Sequence, residues 1–273
     1  MAGIWVFGRK MLCDCHAHLD HSRFFGKLDK VILNCKKKKC YVITSGVNKS
    51  TNRKALEISE KYDNVYCSLG LYPIDALAKE MESGDFPRSV EKLDVDEELE
   101  FISKNKNKIV GIGECGLDFH WDTKHKEEQK KVFLKVISLA EKIKKPLIVH
   151  SRKAELEAIE ILESSKIKNV VMHCFFGKLK YAKRACDLGY NFSIPPIVVR
   201  IPQFKLLVQE VPITQLLTET DAPYLSAEKG KINEPVKVEI AVKEIAKIKE
   251  MDKEEVEKNV FSNFQKLFLE NSK

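Results

Sequence analysis

Eight short apolar runs, each followed by a helical pattern or a loop, constrain the fold of this chain more than any other feature. The runs are rich in β-branched residues, which predicts strands. They occupy residues 12–19, 40–46, 65–71, 108–118, 146–151, 169–175, 190–194 and 215–221. Strands that alternate with helices form parallel sheets, and eight such units are typical of a closed (β/α)8 barrel of the TIM type. In these barrels the active site lies at the C-terminal ends of the strands.

The chain of 273 residues is predicted to fold as one domain. This length is ordinary for a single α/β barrel, and no linker or internal repeat divides the sequence. Residues 1–10 are interpreted as an N-terminal extension or tag, because the informative sequence begins at Met11. The barrel is therefore assigned to residues 11–273. The longest irregular segment, 72–93, contains proline and glycine, and long loops of this kind often shape active sites.

Composition and charge limit where the protein acts and what it binds. No apolar run approaches the ~20 residues that a membrane span needs, and the N-terminus does not match a secretory signal. The sequence therefore predicts a soluble, cytoplasmic protein. Its net charge of +7 favours a polyanionic partner. Eight cysteines without Cys-x-x-Cys spacing predict buried thiols, rather than a disulfide framework or a zinc ribbon.

Imidazole and carboxylate side chains stand toward the ends of five predicted strands. They are His16 and His18 on the first strand, Glu114 on the fourth, His150 on the fifth, His173 on the sixth and Asp221 on the eighth. These are ligand types for Zn²⁺, Mn²⁺ and similar ions, so the pattern predicts a metal site. The alternatives are structural histidines, a buried ion pair and a turn-capping aspartate. To replace the metal site, these alternatives would have to apply at all five strands at the same time.

Three cysteines adjoin these candidate ligands: Cys15, Cys115 and Cys174. Because successive side chains of a strand point to opposite faces, we expect these thiols to face the outer helix layer. They are interpreted as core packing and not as ligands.

An ordered set of motifs resembles the TatD family of metal-dependent deoxyribonucleases, which belongs to the amidohydrolase-like barrels. The motifs are DCHAHLD, GIGECGLDFHWD, PLIVHSR, MHCFFG, LLTETDAPYL, GKINEP and FSNFQKLF, and they span nearly the whole chain. The resemblance implies a (β/α)8 barrel with two divalent metal ions, Mg²⁺, Mn²⁺ or Zn²⁺. It also implies hydrolysis of DNA phosphodiester bonds, typically as a 3′-to-5′ exonuclease, with single-stranded DNA or 3′ ends as the expected substrate.

The resemblance also implies a role for each matched residue. One ion would be held by His16, His18, Glu114 and Asp221, and the second by Glu114, His150 and His173, with Glu114 bridging. Glu114 and Asp221 would be the catalytic carboxylates. Two ions can hold the attacking and the leaving oxygen of a phosphodiester, while Asp221 takes or steers a proton.

Three further residues are candidates for substrate contact. Arg152 directly follows His150 and can grip a phosphate with its guanidinium, although a structural salt bridge is the alternative. His120 either reaches the substrate or lies on the surface. Tyr72 stands in GLYP, where the family usually has Gly-x-His-Pro. A tyrosine donates a hydrogen bond but is not a neutral nitrogen ligand, so this departure affects substrate contact or proton delivery.

Two other functions stay open at this point. The same metal centre suits another ester or amide hydrolase, such as the D-aminoacyl-tRNA deacylases that resemble TatD proteins. The loops at 72–93 and 222–232 would decide between these substrates. A basic nucleic-acid-binding protein that keeps the fold without catalysis is the second alternative.

Overall fold

The computed structural model of the chain describes residues 11–77 and 93–270. Within them, eight parallel strands form one sheet in the order β1 to β8. The strands are β1 (Leu12–Ala17), β2 (Cys40–Ser45), β3 (Val65–Leu69), β4 (Gly111–Asp118), β5 (Leu147–Arg152), β6 (Val170–Met172), β7 (Asn191–Ile194) and β8 (Leu216–Thr218).

Amphipathic helices connect the strands and pack on the outside of the sheet. The described helices are α1 (Leu28–Lys37), α2 (Lys49–Lys61), α3 (Pro73–Ala76), α4 (Val95–Lys104), α5 (Lys126–Ile143), α6 (Glu155–Glu163), α7 (Leu179–Asp187), α8 (Pro202–Glu210), α9 (Val238–Lys249) and α10 (Lys253–Phe264). In α5, the longest of them, Phe133, Val136, Ile137 and Ala140 recur at helical spacing and are all buried. Short helical turns occur at Ser22–Phe24, Pro196–Val199, Ile213–Gln215, Pro235–Lys237 and Gln265–Leu269.

The first and last strands meet and nearly close the sheet into a barrel. A bridge pairs Ala17 with Ala222, and the amide of Asp221 donates to the carbonyl of His16 over 2.9 Å. Below this point the buried carboxylate of Asp14 accepts from the amides of His16 (3.2 Å) and Thr220 (2.9 Å). The predicted (β/α)8 architecture is therefore confirmed.

A glycine allows β4 and β5 to approach each other next to the site. Gly116 pairs with His150 and has a φ of 137°, in a region that side-chain-bearing residues rarely adopt. A Cβ atom at this position would lie 2.0 Å from the carbonyl oxygen of His150. The GECG motif thus fixes the spacing between the strands that carry Glu114 and His150.

All eight predicted strands are present, but five of them, β1, β2, β3, β6 and β8, end earlier than the sequence pattern indicates. β6 ends at Met172, so His173 lies just beyond it, and β8 ends at Thr218, three residues before Asp221. The predicted loop 72–93 begins with α3, while residues 78–92 lie outside the described part of the chain. Residues 1–10 also lie outside it, so their interpretation as a tag stays a prediction. None of the described helices has the length and apolar character needed to cross a membrane.

Candidate metal centre

The C-terminal end of the barrel brings together four histidines and two carboxylates from five strands. They are His16, His18, Glu114, His150, His173 and Asp221. His16 is fully buried, and Glu114 and His173 are at most 5% exposed. The structure therefore places all six predicted candidates in one cluster.

Glu114 lies at the middle of this cluster, and its two oxygens face different histidines. Its Oε2 lies 3.5 Å from Nε2 of His16 and 3.6 Å from Nε2 of His18. Its Oε1 lies 2.8 Å from Nδ1 of His150 and 3.9 Å from Nε2 of His173. One carboxylate thus divides the cluster into two sets of nitrogen donors.

Asp221 closes the cluster on the β8 side. Its Oδ1 lies 3.2 Å from Nε2 of His18 and 3.6 Å from Nε2 of His16. The residue has a left-handed φ of 52°, and its backbone bond to His16 holds the carboxylate across from β1. Three groups have ligand atoms close enough to share an ion: His16, His18 and Glu114; His16, His173 and Asp221; and Glu114, His150 and His173.

Hydrogen bonds on the outer side of three imidazoles fix which ring nitrogen carries the proton. Nδ1 of His18 faces the carbonyl oxygen of Ser45 at 3.1 Å, and Nδ1 of His173 faces Oε2 of Glu219 at 2.6 Å. Nε2 of His150 faces Oδ2 of Asp118 at 2.9 Å. Because these oxygens only accept, the neutral ring protonates there and turns its other nitrogen, with a free lone pair, toward the cluster.

The donor set fits a divalent cation. The inner nitrogens and the carboxylate oxygens of Glu114 and Asp221 converge, and the Nε2 atoms of His16 and His18 are 3.3 Å apart. Lone pairs this close repel one another unless a proton or a metal ion lies between them. Imidazole nitrogen together with carboxylate oxygen suits Zn²⁺, Mn²⁺ and similar ions.

The pKa values reflect the same electrostatics. Burial disfavours a charged imidazole, but Asp221 and Glu114 outweigh burial and raise the pKa of His18 to about 9. Burial is likewise outweighed at His150, where Asp118 and Glu114 raise the pKa to about 9. In return, His150 and His16 hold the pKa of Glu114 well below its usual range despite burial. The site therefore attracts positive charge strongly.

A cavity of about 1040 Å³ opens above the cluster. Arg152, Tyr72 and His120, the predicted substrate-contact residues, all line it. Arg152 is exposed and lies over the ring of Trp121 at 5.5 Å, with no ion pair to any described carboxylate. The alternative of a structural salt bridge for Arg152 therefore has no support among residues 11–77 and 93–270. His120 is exposed at the rim.

Comparison with known proteins decides the family. A model of the TatD related DNase family matches residues 13–269. The chain belongs to the TatD family. It is 35% identical over 263 residues to human deoxyribonuclease TATDN3, covering 94% of each chain. It is 34% identical over 267 residues to the uncharacterized metal-dependent hydrolase YabD of Bacillus subtilis, covering 94% of this chain and 99% of that protein.

A solved structure has the same fold. The crystal structure of YJJV, a TatD homologue from Escherichia coli, superposes with a TM-score of 0.82 at 23% identity, covering 94% of this chain and 97% of that one. By class, the protein is thus a metal-dependent hydrolase of the TatD family, as the ordered motifs predict.

The sequence analysis missed the outer carboxylates and hydroxyls of this TatD site. Glu219 is fully buried and accepts from Ser193 Oγ at 2.6 Å and from the amide of Cys174 at 3.0 Å, besides facing His173. Asp118 is also fully buried and supports His150. Both acids lie inside motifs already singled out, TETDAP and GECGLD. The only signal in the sequence was their position near predicted ligands: Glu219 stands two residues before Asp221, and Asp118 four residues after Glu114.

Tyr72 stands where TatD proteins usually have a histidine. It contacts Asp118, the carboxylate that supports His150. Its hydroxyl donates to Oδ2 of Asp118 at 2.6 Å, and its ring centroid lies 4.9 Å from that of His150. The side chain is only 9% exposed. It borders the cavity, but its polar atom is directed into the protein.

The prediction that three cysteines face the helix layer is wrong for at least one of them. Cys115 is fully buried and lies 3.7 Å from the carbonyl of Ile148. Cys174 instead lines the cavity, because the strand has already ended and its φ of 44° breaks the alternation of faces. Cys15 is fully buried, as Cys115 is. No cysteine belongs to the three candidate metal groups found among the described residues.

Proposed function

We propose that the protein is a divalent-metal-dependent deoxyribonuclease that removes nucleotides from the 3′ ends of single-stranded DNA. The observation that carries this proposal is the division of Glu114, whose two oxygens face two separate sets of imidazole nitrogens. The relatives named deoxyribonuclease TATDN3 and metal-dependent hydrolase support the same reaction class.

In this proposal each set of side chains holds one ion. His16, His18, Glu114 and Asp221 would bind the first, and Glu114, His150 and His173 the second. When bound, the two divalent ions would polarise the phosphodiester and make water a stronger nucleophile. His173 also groups with His16 and Asp221, so it stands close to both ligand sets.

Asp221 is the residue best placed to accept a proton. Its carboxylate is 17% exposed and borders the cavity, whereas Glu114 is almost closed off beneath it. The histidines around Asp221 hold its pKa below the usual value despite burial, so it is ionised at neutral pH. An ionised carboxylate at the cavity floor can orient a water molecule and take its proton.

The walls of the cavity suit a phosphate backbone with unstacked bases. The guanidinium of Arg23 lies 5.9 Å from the ring of Tyr224, and that of Arg152 lies 5.5 Å from the ring of Trp121. The ring of Tyr224, 43% exposed, lies 6.3 Å from that of His18. Aromatic rings stack on the bases of single strands and arginines neutralise phosphates, which supports a single-stranded substrate. Bases paired within a duplex do not offer their faces in this way.

The test is a panel of metals and substrates on purified protein. With Mg²⁺, Mn²⁺ or Zn²⁺, a 5′-labelled single-stranded oligonucleotide should give a ladder that shortens from its 3′ end, faster than a duplex of the same sequence. Asp221→Asn, nearly identical in shape, should lose most of this activity. RNA and aminoacyl-tRNA complete the panel. Hydrolysis of the aminoacyl ester without DNA cleavage would replace the proposal with the deacylase alternative, and binding of DNA without any hydrolysis would favour a non-catalytic role.

A further inference from the structure

A second cavity, of about 730 Å³, lies at the opposite end of the barrel from the histidine cluster. It is bordered by the segments that precede β4, β5 and β6, whereas the histidine cluster lies at the other ends of the strands. Five lysines line it: Lys106, Lys144, Lys145, Lys166 and Lys168. We call it the lysine cavity.

The five ammonium groups have no counter-charge bonded to them in the described part of the chain. Within residues 11–77 and 93–270, none of them forms an ion pair or a hydrogen bond through its Nζ. Their neighbours differ, since Lys104 pairs with Glu100 at 2.8 Å and Lys108 with Glu60 at 2.7 Å. Of the two acids that line the cavity, Glu141 accepts the backbone amide of Lys166 at 2.7 Å, and Glu270 is exposed. Five cations against two acids leave an excess of positive charge.

Lys145 makes this cluster different from a solvated surface patch. It is only 6% exposed, it lines the cavity, and its ammonium has no partner among the described residues. Burial lowers its pKa, with a smaller opposing influence from Cys67. Most of the side chain is packed away while its Nζ keeps contact with solvent, so the ammonium is available to an anion in the cavity.

The rest of the lining indicates what kind of anion fits. Asn107 and Asn169 contribute amides, and Ile143 and Ile167 contribute apolar surface. Several ammonium donors suit the many acceptor oxygens of a phosphate, for which lysine acts as a point charge. The cavity lies within the ~300–1,000 Å³ range of small-molecule sites, and an inorganic ion would fill little of it. An anionic group with an organic body matches this lining better than a bare ion.

We propose that the lysine cavity binds a phosphate monoester of nucleotide size, with its phosphate against Lys145 and the surrounding lysines. The isoleucines and the asparagine amides would contact the organic body. This site is separate from the histidine cluster and does not depend on the nuclease activity proposed above.

Calorimetric titration of the full chain at constant ionic strength tests the proposal. The probes are deoxyadenosine monophosphate, inorganic phosphate and deoxyadenosine. We expect the monophosphate to bind most tightly, phosphate more weakly, and the nucleoside not to bind. Lys145→Met, which keeps the length and removes the charge, should weaken binding of the monophosphate at least about tenfold, equivalent to about 1.4 kcal/mol.

Two control variants locate the binding. Lys247→Met, at an exposed position of α9, should bind as the parent does. Arg152→Ala should lose only binding in the cavity above the histidine cluster, and should keep the binding that Lys145→Met removes. Without ligand, Lys145→Met should melt at about the same temperature as the parent, because methionine keeps the apolar stem and the lost charge has no partner among the described residues. With the monophosphate, its melting temperature should rise less than that of the parent. Parent-like affinity of Lys145→Met, or loss of binding in Arg152→Ala alone, would overturn the proposal.

Discussion

Tyr72 donates a hydrogen bond of 2.6 Å to Oδ2 of Asp118. The same oxygen lies 2.9 Å from Nε2 of His150, so the tyrosine acts on this imidazole through one intervening carboxylate. A residue that orients such a carboxylate helps to fix the tautomer and direction of the ring. Tyr72, which replaces the usual family histidine, therefore still donates a hydrogen bond to the carboxylate that supports His150.

Removing that donor should impair the site more than the fold. Tyr72→Phe is expected to lower metal affinity by up to about tenfold and stability by about 1 kcal/mol, since a buried acceptor loses one partner. Tyr72→His should retain metal affinity to within about threefold, because an imidazole can also donate to Asp118. Competition with a chelating dye measures the metal affinity, and urea unfolding measures the stability.

Tyr66→Phe, which removes a hydroxyl from a half-buried tyrosine far from the cluster, is the control. Equal affinities for the Tyr72→Phe and parent proteins would show that the hydroxyl plays no part.

Replacement of Glu114 should affect both ligand sets at once. Glu114→Gln is expected to reduce bound metal to well below one ion per chain, since one oxygen of each set is replaced or weakened. His150→Asn should lower the bound metal mainly at the set formed by Glu114, His150 and His173. Elemental analysis after gel filtration measures the metal content. Parent-like metal content and activity in Glu114→Gln would contradict the bridging role.

Metal uptake should release protons, and its strength should rise with pH. His18 and His150 have pKa values of about 9, above the ordinary 6.5, so both carry protons at pH 7 that a metal ion must displace. Calorimetry in buffers of different ionisation enthalpy should therefore show proton release at pH 7 that vanishes above about pH 9. A proton count of zero at pH 7 would show that these imidazoles are neutral before the metal binds.

The same shifts predict how the chelator-treated protein responds to pH. A pKa that is higher in the folded than in the unfolded protein stabilises the fold fully below the unfolded pKa. That contribution is lost as the pH rises through the folded pKa. The melting temperature of chelator-treated protein should therefore fall between about pH 6.5 and pH 9, the interval bounded by the ordinary and the raised values. Metal-loaded protein should not show this fall, and thermal scans across the interval compare the two.

Glu219 should prove nearly as important as the residues it supports. Its carboxylate accepts from the ring of His173, from Ser193 and from the amide of Cys174. Loss of such an outer carboxylate typically costs ~10–100-fold in metal affinity, which we expect for Glu219→Gln. Ser193→Ala, which removes one of its donors, should cost less. If Glu219→Gln bound metal as tightly as the parent, other groups would have to orient His173.

Periodicity and strand-end chemistry were enough to predict the barrel and the gathering of its six polar residues. The prediction works because parallel strands present their C-terminal ends at one rim, whatever the exact length of each strand. It fails at Cys174, where β6 ends at Met172 and the strand rule no longer applies. It also passes over Glu219 and Asp118, whose roles depend on which side chains turn back into the barrel. Such directions follow from three-dimensional packing and not from spacing along the chain.

The seam between β1 and β8 joins the first and the last strand of the barrel at the site itself. His16 and Asp221 share a backbone hydrogen bond there, and their side chains face each other in the cluster. An ion held by both would crosslink the two strands, because separating them would pull its ligands apart. Separation of β1 from β8 and release of the ion would then be a single event. The rate at which a chelator strips the protein would report how often the barrel opens.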